Sequence, residues 1–154
     1  MSEELDSIDR KILNQLQQDG RISNTRLAEL VSLSPTAVLA RTQRLYREGF
    51  VEHVEARLNA RKLGLATLIF VEVRLDRTTP NVLDAFSAAV LVLSEILECH
   101  MVAGGFDFLL KIRVRDMDHF HQFANSRLWT LPGVRETRTY TVMREVKSST
   151  QLAV

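Results

Sequence analysis

Hydrophobic residues in the first third of the chain recur every three or four positions, a spacing typical of amphipathic helices. A first helix is predicted after Asp6, its N-cap, with Gly20 as its stop. Its apolar stripe is expected to comprise Leu5, Ile8, Ile12, Leu13 and Leu16. A second, shorter helix is predicted after Ser23, with Leu27, Leu30 and Val31 facing inward.

The third predicted helix begins after the N-cap Ser34, with Pro35 in its first turn, and ends at Gly49, a left-handed stop. Two helices joined by a tight turn predict a helix-turn-helix. The inward face is expected to hold Val38, Thr42 and Leu45, and the opposite face Thr36, Ala37, Ala40, Gln43, Arg44 and Arg47, with Arg41 on the flank. By itself, this helix fits an ordinary surface helix equally well.

Periodicity changes after this helix. Residues 50–58 alternate like a strand and could form a small wing, and residues 59–65 are a short polar connection. Strands are then predicted at 66–75, 96–103, 106–114 and 134–146, with helices beginning at Thr79-Pro80 and Asp116. The order βαββαβ is the ferredoxin-like arrangement. The predicted fold class is α+β: a (winged) helix-turn-helix domain at 1–58, a linker at 59–65 and a ferredoxin-like domain at 66–154.

Charge is unevenly distributed in a chain of 154 residues whose net charge is only +1. Residues 21–47 hold five arginines against one glutamate, whereas the first 20 residues are acidic. This pattern favours an oriented basic face over a general polycation. No apolar run reaches the roughly 18 residues of a membrane span, so a cytoplasmic protein without a membrane partner is expected.

The first predicted strand is apolar over a long run instead of strictly alternating. Helices on one face of the sheet and a second sheet on the other would explain this run, so we expect a dimer formed by sheet packing. One well-buried strand in a monomer is the alternative. Paired helix-turn-helix units could read a near-palindrome.

Several linked motifs carry a resemblance to a known family. The chain closely resembles the leucine-responsive regulatory protein / AsnC family of bacterial transcription regulators, and most strongly its leucine-responsive branch. The resemblance spans Leu5 to about Val146. Its motifs are residues 5–13, 19–24, 33–36, 49–51, 98–100, 104–110 and 131–134.

The resemblance implies a regulator of amino-acid metabolism genes that binds double-stranded DNA and an amino-acid effector such as leucine. It also implies a homodimer that assembles further, commonly into an octamer. The implied DNA contacts are Ser34, Pro35, Thr36, Arg41 and Arg44. Arg26 and Arg47 are added as expected phosphate contacts, and Ala37 as a small residue that permits close approach to the groove. The implied effector residues are His100, Met101, Ala103, Gly104, Gly105, Phe106, Asp107, Thr137, Thr139 and Thr141.

The glycine loop suits an amino acid, because Asp107 offers a carboxylate for the ammonium and Gly104 and Gly105 can expose N–H groups. The alternative is a plain hairpin turn in which Asp107 pairs locally. His119 and His121 lie two apart on a helix and make a poor metal pair. Neither a metal, a cofactor nor an enzymatic activity is predicted.

Three other functions remain open at this point. An architectural, chromosome-organising DNA-binding protein would use the same helix-turn-helix. An amino-acid-sensing subunit of an enzyme would not need a helix-turn-helix, so the N-terminal half speaks against this function. An RNA-binding protein needs exposed aromatics on the central strands, and the third predicted strand, residues 106–112, is too apolar and lacks the signature of that binding mode.

Overall fold

The computed structural model describes residues 4–154, which form two compact units. One unit runs to Arg57 and also takes in Lys147–Val154, and the other is Leu58–Val146. The C-terminal tail therefore groups with the helix-turn-helix unit, whereas the sequence placed it at the end of the second domain. The boundaries at 58 and 65 stay predictions.

Side-chain amides of the first helix hold this tail. The Gln17 carboxamide pairs with both backbone groups of Leu152: its Nε2 donates to the carbonyl (3.0 Å) and its Oε1 accepts from the N–H (2.6 Å). Asn14 Nδ2 donates to the backbone oxygen of Val154 (3.1 Å). The Gln17 carboxamide thus satisfies both backbone groups of Leu152, as a paired strand would. Because the two residues are 135 apart, no local sequence pattern predicts this contact.

The first unit contains the three predicted helices: α1 (Ser7–Gln18), α2 (Asn24–Val31) and α3 (Pro35–Arg47). Each begins after its predicted cap, because the side chains of Asp6, Ser23 and Ser34 accept hydrogen bonds from backbone N–H groups of the first turn. Gly49 has φ +79°, as its predicted role as a left-handed stop requires.

Two predictions for this unit, the inward position of Leu30 and the wing strand, are wrong. Ile12, Val38 and Leu45 are fully buried, as predicted, but Leu30 lies on the outer side of α2 with 43% of its surface exposed. The predicted wing strand is absent, since residues 50–58 form no strand in the described chain. Strands need paired backbone groups, and these residues make no ladder with another segment of the unit.

The second unit has the predicted βαββαβ order. Its strands are β1 (Thr67–Leu75), β2 (Ile96–Met101), β3 (Phe108–Val114) and β4 (Val134–Thr141). Its helices are α4 (Pro80–Val90) and α5 (Met117–Phe123), and α5 continues as a π-helical turn, Ala124–Leu128. The strands form one sheet in the order β2-β3-β1-β4, with every neighbouring pair antiparallel.

The central position of β1 explains much of its apolar character. Its alternate residues Ile69, Val71 and Val73 are fully buried in the core that also contains Phe86 and Phe123 from the helices. The other face of the sheet is mixed in character: it carries the half-buried Phe70 and Leu109 beside the ion pair Lys111–Glu98 (2.6 Å). The sheet-packed dimer stays a prediction.

Gly133 is a sensitive point in this unit. Its φ is +73°, and a Cβ on it would lie 2.5 Å from Cγ1 of Val82 on α4. Replacing Gly133 with Ala should destabilise the unit by about 1–3 kcal/mol in chemical denaturation, from backbone strain and overpacking together. Gly104→Ala is the matched control, because nothing lies within 4 Å of its added carbon. Equal stability of the two variants would contradict this account.

Candidate functional sites

A buried carboxylate joins α1 to α3. Asp9 is 1% exposed, and its two oxygens accept from Arg41 Nη1 (2.8 Å) and Arg44 Nη2 (2.5 Å). The exposed fractions of the two arginine side chains are 31% and 23%. A carboxylate at this depth requires cationic or hydrogen-bonding partners. Asp9 therefore fixes where both guanidinium groups lie.

Asp6 completes the cluster from the N-cap of α1. Its carboxylate accepts from the N–H groups of Ile8 and Asp9 and from Arg41 Nη1 (2.7 Å), and its own N–H donates back to Asp9. The Asp9 N–H, followed by the Arg41 guanidinium, lowers the pKa of Asp6 to about 2. The pKa of Arg41 is raised by the same two carboxylates. The carboxylates of Asp6 and Asp9 thus both cap α1 and bind Arg41 of α3.

The open face of α3 differs from the predicted one. Arg44 does not lie on it, because its guanidinium turns toward Asp9. Ala37 is half-buried, whereas Ser34, Pro35 and Thr36 are exposed at the N-terminal end. The remainder of the exposed arc is formed by Leu39, Ala40, Gln43, Tyr46 and Arg47.

Two other predicted cations stay near solvent. The side chains of Arg26 and Arg47 are 63% and 73% exposed. Arg26 Nη1 lies 2.8 Å from Glu29 one turn along α2, and Arg47 lies 4.0 Å from Glu48. Exposed pairs of this kind are weak, so neither cation is held as Arg41 and Arg44 are.

In the second unit, a shallow cleft of about 250 Å³ opens beside the glycine loop. Adjacent strands supply charged side chains of both signs, and the loop supplies one wall. Its lining residues are Glu72, Arg74, Gly105, Phe106, Glu136 and Arg138. A neighbouring depression of about 660 Å³ shares Arg74, Gly105 and Phe106 and adds Gly104, Asp107 and residues 75–78.

Asp107 anchors the loop instead of facing the cleft as a free carboxylate. Its Oδ2 accepts from the Leu75 N–H (2.7 Å), and its own N–H donates to the Val73 carbonyl (2.9 Å). The Arg74 guanidinium donates to the Gly105 carbonyl. This is the local pairing that the sequence left open as the alternative, and it fixes the loop against β1.

Six predicted effector residues lie outside both depressions. Thr137, Thr139 and Thr141 pair in register with Val73, Val71 and Ile69, so their side chains take the helix-covered side of the sheet. Trp129 Nε1 accordingly donates to Thr137 Oγ1 (3.1 Å). The others that line neither depression are His100, Met101 and Ala103.

Four charged side chains that were not predicted from the sequence line the cleft: Glu72 and Arg74 on β1, and Glu136 and Arg138 on β4. Glu136 and Arg138 alternate with Thr137 and Thr139 along β4, and Glu72 pairs in register with Arg138. On β4 the missed signal is strand parity, because the charged residues that alternate with Thr137 and Thr139 point to the face without helices.

Ion pairs and hydrogen bonds link these cleft side chains to one another. Arg138 Nε donates to Glu136 (3.3 Å), and Arg74 lies 3.7 Å from the same carboxylate. The Tyr140 hydroxyl donates to Glu72 Oε1 (3.1 Å), and this bond raises the pKa of Tyr140. The cleft therefore presents carboxylates and guanidiniums within one side-chain length.

Neither a metal centre nor a membrane span emerges from residues 4–154. Among them, no cluster of histidine, cysteine or acidic side chains could hold a metal ion. None of their helices is sufficiently long and apolar to cross a bilayer.

Comparison with known proteins agrees with this architecture. Residues 5–46 match the AsnC-type helix-turn-helix domain, and residues 68–152 match the Lrp/AsnC ligand binding domain. The chain is 52% identical over 151 residues to the leucine-responsive regulatory protein of Salmonella typhimurium, covering 98% of this chain and 92% of that protein. Identity with the Escherichia coli K12 counterpart is 51%, with the same coverage.

Solved structures show the same fold. The transcriptional regulator NMB0573 of Neisseria meningitidis, in complex with L-Met, superposes with a TM-score of 0.93 at 33% identity, covering 97% of both chains. An AsnC family regulator from Agrobacterium tumefaciens gives 0.92 at 28% identity, with the same coverage.

A helix-turn-helix unit followed by a ligand-binding unit defines a DNA-binding transcription regulator that responds to a small effector. The chain belongs to the Lrp/AsnC family. Since the relatives are transcription regulators, the protein is a regulator and not an enzyme. The predicted fold class and family are confirmed.

The charge cluster around Asp6 gives a pH prediction. A folded pKa of about 2, below the ordinary 3.8, means that its stabilising contribution is complete above pH 3.8 and disappears as the pH falls through about 2. NMR titration of the Asp6 carboxyl should return this low value. In Arg41→Ala the Asp6 pKa should rise, yet stay below 3.8, because the Asp9 N–H still donates.

Arg26→Ala is the control for this titration, since Arg26 pairs with Glu29 on another helix. An ordinary pKa for Asp6 in the parent protein would contradict the cluster. So would an Asp6 pKa that is equal in the parent and in Arg41→Ala.

Proposed function

We propose that α3 docks in the major groove through its exposed N-terminal end. Ser34, Pro35 and Thr36 lie there, and Ser34 Oγ accepts from the Ala37 N–H (3.2 Å). Because Pro35 has no N–H and the Val38 N–H bonds to the Ser34 carbonyl, the Thr36 N–H is the first-turn donor left for a phosphate. Arg26 and Arg47 are the exposed cations suited to flanking phosphates. Arg41 and Arg44 act mainly by fixing α3 on α1.

We propose that the effector is a free amino acid and that it binds in the cleft beside the glycine loop. This proposal is supported by one observation: a single cleft combines carboxylates, guanidiniums and a glycine loop. A zwitterion needs an anion for its ammonium and a cation or N–H donors for its carboxylate. Leucine and methionine are the first candidates, because one relative is a leucine-responsive protein and another was solved with L-Met.

Each part of the amino acid has a partner in this arrangement. Glu72 takes the ammonium, and this role is supported by the hydrogen bond that its carboxylate already accepts from the Tyr140 hydroxyl on β4. Arg138 takes the carboxylate by releasing Glu136, an exchange that costs little because the pair is exposed. Phe106 offers an apolar wall for the side chain. Of the predicted loop residues, Gly104 and Gly105 supply N–H donors.

Assembly is the remaining part of the proposal. We propose a cytoplasmic homodimer that packs the helix-free faces of two sheets together, with Phe70 and Leu109 near the contact, and further association to an octamer. Cleft residues Glu72 and Arg138 lie on this same face, so a second copy would cover the bound effector. Ligand binding would then change both assembly and DNA affinity.

The proposal is tested by measuring affinity for a duplex from the gene's own upstream region, with and without each common amino acid. We expect at least one amino acid to change the affinity for the duplex about 5- to 150-fold, the range of ordinary allosteric coupling. Leucine and methionine are the first to be measured. Glu72→Gln should abolish this response. Arg135→Ala, an exposed change on β4 outside the cleft, is the control and should respond like the parent.

Calorimetry with the same amino acids separates the two parts of this proposal. Duplex binding without heat from any amino acid would refute the effector assignment alone. Failure to bind any duplex at low ionic strength would refute the DNA-binding role.

A further inference from the structure

The exposed arc of α3 has an amide at its centre. At about 100° per residue, Gln43 lies within about 60° of Thr36, Leu39, Ala40, Tyr46 and Arg47, which flank it on both sides. All of these side chains are exposed. On the same wheel Arg44 lies about 100° from Gln43, and Arg41 lies farther away.

The Asp9 contacts decide which side chains can reach a base edge. Both arginines nearest the middle of α3 are bonded to Asp9, at 2.8 Å and 2.5 Å. Reaching into a groove would require them to leave a carboxylate that is 1% exposed, which is costly for Asp9. Arg47 lies in the last turn of α3, one turn beyond Gln43. Gln43 is therefore the long hydrogen-bonding side chain at the middle of the open face.

The neighbours of Gln43 permit a close approach to DNA. Ala40 precedes it by one turn and adds only a methyl group, and Thr36 lies one further turn toward the N-terminus. A glutamine carboxamide carries one acceptor and two donors, which match N6 and N7 of adenine as a bidentate pair. The Thr36 methyl and Leu39 are apolar groups of the kind that contact a thymine methyl.

We propose that Gln43 is the specificity-determining residue of this regulator and that it reads an adenine in the major groove. This inference rests on the proposed docking of α3 in that groove. The binding site therefore contains an A·T pair that is fixed by Gln43, and the two arginines of α3 that are bonded to Asp9 contribute no guanine preference.

The test starts with selection of bound duplexes from a random pool by the full-length protein. The expected site contains an invariant A·T pair. Gln43→Ala should bind the selected duplex roughly 5- to 100-fold more weakly and lose the preference at that pair. Its affinity for random duplex and the dependence of that affinity on salt should stay unchanged, because phosphate contacts are intact. Gln43→Arg should shift the preference at that pair toward G·C.

Gln18→Ala is the matched control, since Gln18 is an exposed glutamine at the end of α1. It should keep both the affinity and the selected sequence. The inference is overturned if Gln43→Ala retains the preference at every position, or if affinity falls equally for selected and random duplexes. If the parent protein binds no duplex at all, the proposed docking of α3 is overturned instead. The measurement with random duplex detects this outcome separately.

Discussion

The DNA-binding unit depends on the neutralisation of one buried carboxylate. Asp9 lies under α3 at 1% exposure and receives a guanidinium on each of its two oxygens. An unpaired charge at this depth would be strongly destabilising, so Arg41 and Arg44 are needed where they are. Because Asp6 shares Arg41, the start of α1 and the orientation of α3 are set by the same contacts.

This constraint changes the meaning of the basic segment. The five arginines of residues 21–47 indicated a basic face, but two of them neutralise acids of α1. The outward charge of α3 is therefore smaller than the count of arginines suggests. Small and amide side chains then form more of the open face, which favours close contact with base edges over general attraction to phosphates.

Local chemistry was sufficient to predict the elements of the fold. Asp6, Ser23 and Ser34 are true N-caps and Gly49 is a true stop, because capping depends on groups a few residues apart in sequence. The ferredoxin-like order followed from alternating strand and helix patterns. The Asp9–Arg44 pair joins residues 35 apart, and no periodicity within one helix predicts which arginine meets which acid.

The residues that line the proposed effector cleft were predicted only in part, for a similar reason. Gly104 and Gly105 mark a loop by their composition, and that loop does border the cleft. The choice between Thr137 and Arg138 depended on which face of β4 the helices cover, and pairing with Val73 and Glu72 decides this. A bulge between Arg74 and Leu75 shifts that register, so counting alternate residues from the loop was not sufficient.

A double-mutant cycle on Asp9 and Arg44 tests the central claim most directly. The free energy of opening is measured by amide hydrogen exchange at the buried α3 residues Val38 and Leu45, in the parent, Asp9→Asn, Arg44→Gln and the double variant. The account predicts a coupling energy of about 1–3 kcal/mol between the two sites. Additivity within about 0.5 kcal/mol would show that Asp9 does not hold α3 through Arg44 and would contradict the account.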